Sequence, residues 1–267
     1  MIRFLEAGGR RLEYAWTGPG PGEAPTLVFL HEGLGSLAQW RDFPAALGEA
    51  TGCGALVYSR AGYGGSEPAP LPRPVRFMHD EAEVLGEVLR VAGVEDAVLV
   101  GHSDGASIAL IHAGSAGGRR VRALVLEAPH VFTEPEGLAS IARIADEYRA
   151  GDLPRRLARY HGTNTDSAFW GWNGVWLDPE FRAWNIEEFL PSIGVPTLVV
   201  QGADDEYGTI RQVEAIRRGV AGPVETLLLP ACGHAPHRDQ RERVLEEMAR
   251  FIGAALDPAS VRRPLSG

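Results

Sequence analysis

There is no lysine in this chain: all 26 basic residues are arginine, set against 35 acidic ones for a formal net charge of −9. We read that bias as a mark of nucleotide composition rather than of function. An acidic chain has no evident footprint for nucleic acid, whose binding rests on neutralising phosphates, so no nucleic-acid partner is expected. Cysteine is almost as scarce. Cys53 and Cys232 are too few for a disulfide framework, and two reduced thiols are expected. No apolar run approaches the ~18 residues that a membrane span needs. The stretch MIRFLEAGGRRLEYAW lacks the apolar core of a signal peptide. A cytoplasmic protein with no membrane partner is the expectation, and no feature fixes an oligomeric state.

What is present is a rhythm. The 267 residues suit one α/β domain with a modest insertion. Ile2–Glu6 and Arg11–Trp16 alternate apolar and polar around Gly8-Gly9, which reads as a hairpin. Short apolar runs then recur: TLVFL (26–30), ALVY (55–58), AVLV (97–100), ALVL (123–126), TLVV (197–200) and ETLLL (225–229). Such runs fit strands buried on both faces of a parallel sheet. Helical patterns fall between several of them, at Arg76–Ala92, Ser103–Ala113, Gln212–Val220 and Arg241–Ile252. Strands alternating with helices imply a mostly parallel sheet with helices on both faces. From Phe132 to Phe189 the rhythm stops, and four of the six tryptophans fall there. The tail from Asp257 is expected to be loose.

The chemistry is carried by Gly101-His102-Ser103-Asp104-Gly105. A GxSxG match alone arises by chance in about one chain in six of this composition. Its context is more specific: AVLV precedes it as a strand and ASIALIHA follows as a helix, the setting of a nucleophile elbow. Such a turn projects the serine hydroxyl from the sheet, and the helix N-terminus brings positive partial charge to a developing oxyanion. The bland alternative is a serine capping an ordinary turn. A serine needs a base, and the base needs an orienting carboxylate. Both follow later strands: Asp204 and Asp205 in QGADDEYGT, then His234 in CGHAPH.

With these motifs in the order Ser, Asp, His, the sequence resembles α/β-hydrolase-fold proteins of the esterase and carbon–carbon hydrolase group, over nearly its whole length. LHEGLGS (30–36), SRAGYGGS (59–66), GADD (202–205) and GH (233–234) match the group's recurring loops. The resemblance implies an eight-stranded α/β-hydrolase sheet, with 1–131 and 190–267 as core and 132–189 as a helical cap. It implies Ser103 as nucleophile, His234 as base and Asp205 as acid, with Asp204 the alternative. It implies an oxyanion hole of the Asp104 N–H and a donor after TLVFL, either Gly33 or Leu34. His102 is expected to orient the elbow structurally, and His237 to cap a turn or line the rim.

One residue departs from the pattern. Glu32 stands where the group usually has glycine. Pointing inward, a carboxylate would repel the oxyanion. Turned away, it would join a polar network; otherwise it is a second acid/base group or a substrate contact. Trp170, Trp172, Trp176 and Leu34 are candidates to line the substrate pocket, although tryptophans also simply pack cores. Arg155, Arg156 and Arg159 either attract an anionic tail or form a solvated helix face. The expected function is hydrolysis of a small-molecule carboxylic ester or thioester with a small apolar or aromatic acyl group, without a cofactor. Carbon–carbon bond or lactone hydrolysis on the same residues, and a non-catalytic receptor, are the alternatives. Cys232, His234 and His237 match no strong zinc spacing, and no metal is expected.

Overall fold

Gly8 and Gly9 both adopt positive φ, 60° and 66°, and so close the first hairpin. It joins β1 (Arg3–Ala7) to β2 (Arg10–Thr17). The computed structural model describes residues 2–257, so the expected loose tail lies outside the described residues except for Asp257. Six further strands follow: β3 (Thr26–Leu30), β4 (Gly54–Tyr58), β5 (Ala97–His102), β6 (Val121–Glu127), β7 (Thr197–Gly202) and β8 (Val224–Leu229). Among the described residues there are nine α-helices: α1 (Phe43–Thr51), α2 (Phe77–Val91), α3 (Asp104–Ala113), α4 (Pro135–Ala150), α5 (Leu153–His161), α6 (Thr165–Trp176), α7 (Ile210–Gly219), α8 (Pro236–Asp239) and α9 (Arg241–Leu256).

The sheet order is β1-β2-β4-β3-β5-β6-β7-β8. Only the β1–β2 and β2–β4 pairings are antiparallel. Alternate side chains along each strand feed two cores. Val28, Leu30, Leu99 and Leu126 pack under α2, α3 and α7. Leu27, Phe29, Val98 and Val125 pack under α1 and α9. Each such side chain, removed from water, contributes about 1.5–3 kcal/mol. The expected mostly parallel eight-stranded α/β-hydrolase sheet, with helices on both faces, is what forms.

Two expectations need correction. ETLLL is a strand but not one buried on both faces: β8 is the sheet's edge, and Leu228 is 50% exposed. Its apolar run reflects one covered face only. The helical patterns read from sequence also omit α1, whose mixture of small and apolar residues (FPAALGEAT) gives only a weak helical signal. Between β6 and β7 no strand occurs among the described residues. Helices α4 to α6 and short 3-10 turns fill that stretch, and Phe169, Trp172, Trp176 and Phe181 join the core on the α2/α3 side.

Candidate active site

Because β3, β5, β6, β7 and β8 run parallel, the loops leaving their carboxyl ends gather at one edge of the sheet. Ligands of open α/β sheets bind in such places. Ser103 is the hinge between β5 and α3, with φ 54° and ψ −118°. A side chain rarely holds positive φ unless its surroundings impose it. Here the Ser103 N–H donates to Glu127 O (2.9 Å), while the Ala106 N–H donates to Ser103 O (2.9 Å). The neighbouring glycines allow the tight turn. A Cβ on Gly105 would collide with Leu30 O, and one on Gly101 would lie 2.6 Å from the Ala106 backbone. Helix α3 starts at the next residue, so its N-terminal partial charge sits at the serine.

His234 lies in the loop after β8. Its Nδ1–H donates to Asp205, at 2.8 Å from Oδ1 and 2.9 Å from Oδ2. The carboxylate also accepts from Tyr207 N–H (2.8 Å) and from Gln201 Nε2 (2.8 Å). Burial pushes the Asp205 carboxyl up, but the charge and hydrogen bond of His234 and the Tyr207 N–H outweigh it, holding it well below the usual carboxylate range. Asp204, the alternative acid, is exposed. Ser103 and His234 line the same cavity. No hydrogen bond holds the Ser103 hydroxyl among the described residues, and such bonds often tighten only with substrate in place.

The loop after β3 faces the elbow. His31 is fully buried, accepting from Arg60 N–H at Nε2 (3.1 Å) and donating from Nδ1 to Glu32 O (2.7 Å). Burial, together with the Arg60 charge, pushes its pKa well below the ordinary value, so the ring is neutral. Arg60 Nη2 also donates to Glu32 O (3.0 Å). The N–H groups of Gly33, Leu34 and Asp104 donate to no described residue, which leaves all three available. Trp172 packs directly on Gly33, where a Cβ would collide with the indole. The Asp104 side chain turns away from the cavity and accepts from Trp176 Nε1 (3.1 Å). Burial pushes that carboxyl up, and Arg60, at 3.9 Å, offsets this only in part.

Glu32 turns into a polar network. Its Oε2 faces His102 Nδ1 at 3.5 Å, and its Oε1 faces Arg238 Nη2 at 3.5 Å. Burial pushes this carboxyl up, but His102 and Arg238 more than offset that and hold it well below the usual range. His102 Nε2–H donates to the His234 carbonyl (2.6 Å). His237 is neither a rim residue nor a cap. It is buried, with Nδ1 2.5 Å from Glu127 Oε2, because Trp40 and Phe43 close over it.

The cavity, about 160 Å³, is lined by Glu32, Leu34, Ser103, Trp172, Trp176 and Tyr207 among others. Trp170 does not line it. It packs edge-on against Tyr148 and Phe169, on the far side of α6 from Trp172 and Trp176. Arg155 and Arg156 lie exposed on α5, paired with Asp152 (2.6 Å) and Glu147 (3.8 Å). Three lining residues were missed from sequence, one of them Ile141 on α4. His130 follows the end of β6, a position typical of ligand contacts, and Tyr207 follows Asp205. Burial and the His234 charge lower the His130 pKa to about 4, so it is neutral near pH 7. Ligand-type atoms of His102, Glu127 and His237 gather within 4.8 Å of one another. Glu127 and His237 are committed to the short bond just described, an arrangement that suits a hydrogen-bonded network. Cys232 is not part of it.

A sheet of this order, with a serine on a positive-φ hinge before its central helix, defines an α/β hydrolase. The chain belongs to the alpha/beta hydrolase family, whose model matches residues 27–247, and it is a hydrolase. No curated protein is matched in sequence. Among solved structures it is similar to a bacterial membrane phospholipase A described as a virulence factor, with 20% identity, 96% of this chain and 86% of that one covered, and TM-score 0.76. It is also similar to an esterase from Exiguobacterium antarcticum, with 20% identity, coverage of 94% and 99%, and TM-score 0.75. A third is a meta-cleavage product hydrolase from Pseudomonas fluorescens, with 17% identity, coverage of 95% and 98%, and TM-score 0.72. At these identities the likeness speaks for the fold. No helix among the described residues is long and apolar enough to cross a membrane.

Proposed function

We propose that the chain hydrolyses a small-molecule carboxylic ester or thioester through Ser103, His234 and Asp205, with an acyl-enzyme intermediate. The observation that carries this reading is a serine on a strained hinge sharing one cavity with a histidine whose other nitrogen is held by a buried carboxylate. His234 takes the Ser103 proton as the hydroxyl attacks the carbonyl carbon. The negative oxygen is met by the N–H groups of Gly33 and Asp104. His234, now protonated and stabilised by Asp205, gives its proton to the leaving group. A water, deprotonated by the same ring, attacks the acyl-enzyme and frees Ser103. The Glu32 carboxylate is turned to His102 and Arg238, each at 3.5 Å, which limits how far its charge bears on the hole.

The acyl group would be small and apolar or aromatic. A cavity of about 150 Å³ takes up one benzene ring, and this one is of that size with Trp172, Trp176 and Tyr207 as walls. Helices α4 to α6, within 132–189, act as the cap that supplies those tryptophans. The test is a panel of p-nitrophenyl esters of graded acyl length beside benzoyl-type esters, thioesters and vinylogous diketones. Highest kcat/KM is expected for short or single-ring acyl esters. Turnover of the diketone alone would overturn the ester reading.

A further inference from the structure

We infer that Glu32 and His102 are positioning residues, a polar clamp that fixes the backbone of His234; this rests on the reading of His234 as the base. Asp205 fixes how the His234 ring is turned, but nothing in that contact fixes where the ring's own backbone sits. His102 does so. It is the last residue of β5, so its backbone belongs to the centre of the sheet. Its ring spans to the loop after β8 and donates from Nε2 to the His234 carbonyl at 2.6 Å.

The other ring nitrogen explains the glutamate. His102 Nδ1 faces Glu32 Oε2 at 3.5 Å in a buried setting and makes no hydrogen bond there. A glycine at position 32 would remove the carboxylate that this buried nitrogen faces. The second carboxylate oxygen faces Arg238, which also donates to Gln39 O (3.3 Å) and sits on α8, four residues past His234. The loops after β3, β5 and β8 thus converge on one polar cluster, in which the Arg238 guanidinium faces the Glu32 carboxylate. The rings of His234 and His237, each 5.2 Å from that of His102, complete its polar surroundings.

The test compares amide replacements. In H102Q the side-chain amide nitrogen reaches the place of Nε2, whereas the shorter side chain of H102N does not. In H102N, kcat is expected to fall ~10²-fold with KM unchanged, since a slightly misplaced base costs about that much. H102Q should recover most of it. E32Q should lose ~10-fold, and E32Q combined with H102N should be no worse than H102N alone, because both act through one contact. Equal kcat in wild type, E32Q and H102N, or strictly additive losses, would overturn the clamp. Should H102N not fold, E32Q with wild-type kcat overturns it by itself. A wild-type chain with no esterase turnover would instead sink the underlying hydrolase reading.

Discussion

Two histidines three residues apart each carry a carboxylate partner, and only one of them faces a cavity. His234 bonds Asp205 at 2.8 Å and its side chain is 15% exposed; His237 bonds Glu127 at 2.5 Å and is 3% exposed. The local chemistry is nearly the same. What separates them is what surrounds the ring. Trp40 and Phe43 close over His237, while His234 opens onto the space shared with Ser103. A carboxylate–histidine pair is therefore not a catalytic signature by itself. On the proposed reading, access to a cavity shared with a serine makes it one.

The sharpest way to break this comparison is to remove each ring. His234→Ala is expected to lower kcat by ~10⁵–10⁶-fold while unfolding in urea near wild type. His237→Ala is expected to do the reverse. It strands the buried Glu127 carboxylate and destabilises the fold by ~3–5 kcal/mol, while the folded fraction keeps its kcat. Comparable kcat losses in both would erase the distinction.

The carboxylates extend it. Asp205→Asn should lower kcat ~10⁴-fold by removing the acceptor that sets the His234 tautomer, whereas Glu127→Gln should leave kcat near wild type. Steady-state kinetics on a p-nitrophenyl ester decides both. Next in size comes Gly33→Ala. The added Cβ would collide with Trp172 and shift the loop proposed to offer an oxyanion donor, so kcat should fall ~10²–10³-fold.

The smallest effect concerns His130, another buried histidine at the site. Burial lowers its pKa from 6.5 to about 4, so the unfolded chain binds its proton first as pH falls. Its contribution to stability is full above pH 6.5 and is lost as the pH drops towards 4, an effect on the order of 3 kcal/mol. His31, His112 and His161, also held low by burial, act with the same sign. In His130→Gln, urea unfolding at pH 7 and pH 4.5 should differ less than in wild type. An unchanged pH slope would show that His130 is not held neutral.

Much of this was readable in the chain itself. The hairpin alternation and the apolar runs located every strand among the described residues; for β3 to β7 this is because strands buried in a parallel sheet need continuous apolar sequence. GxSxG between a strand and a helix located the hinge at Ser103. What could not be read was which side chains meet. Nothing in CGHAPH distinguishes His234 from His237 by accessibility, since Trp40 and Glu127, which enclose the second, lie far away in sequence. Trp170, Trp172 and Trp176 share one helix, but its rotation, set by packing on Tyr148, decides that only the last two reach the cavity. Glu32 looked like a hazard to the oxyanion because its partners, His102 and Arg238, are brought to it only by the fold.

The central claim is that Ser103 is the nucleophile. Its most direct test is peptide mapping by mass spectrometry after reaction with a fluorophosphonate, beside Ser103→Ala and His234→Ala. A single adduct on Ser103, slowed by orders of magnitude in His234→Ala and absent in Ser103→Ala, is the predicted result. A wild-type chain that takes no label, or takes it on another residue, would contradict it.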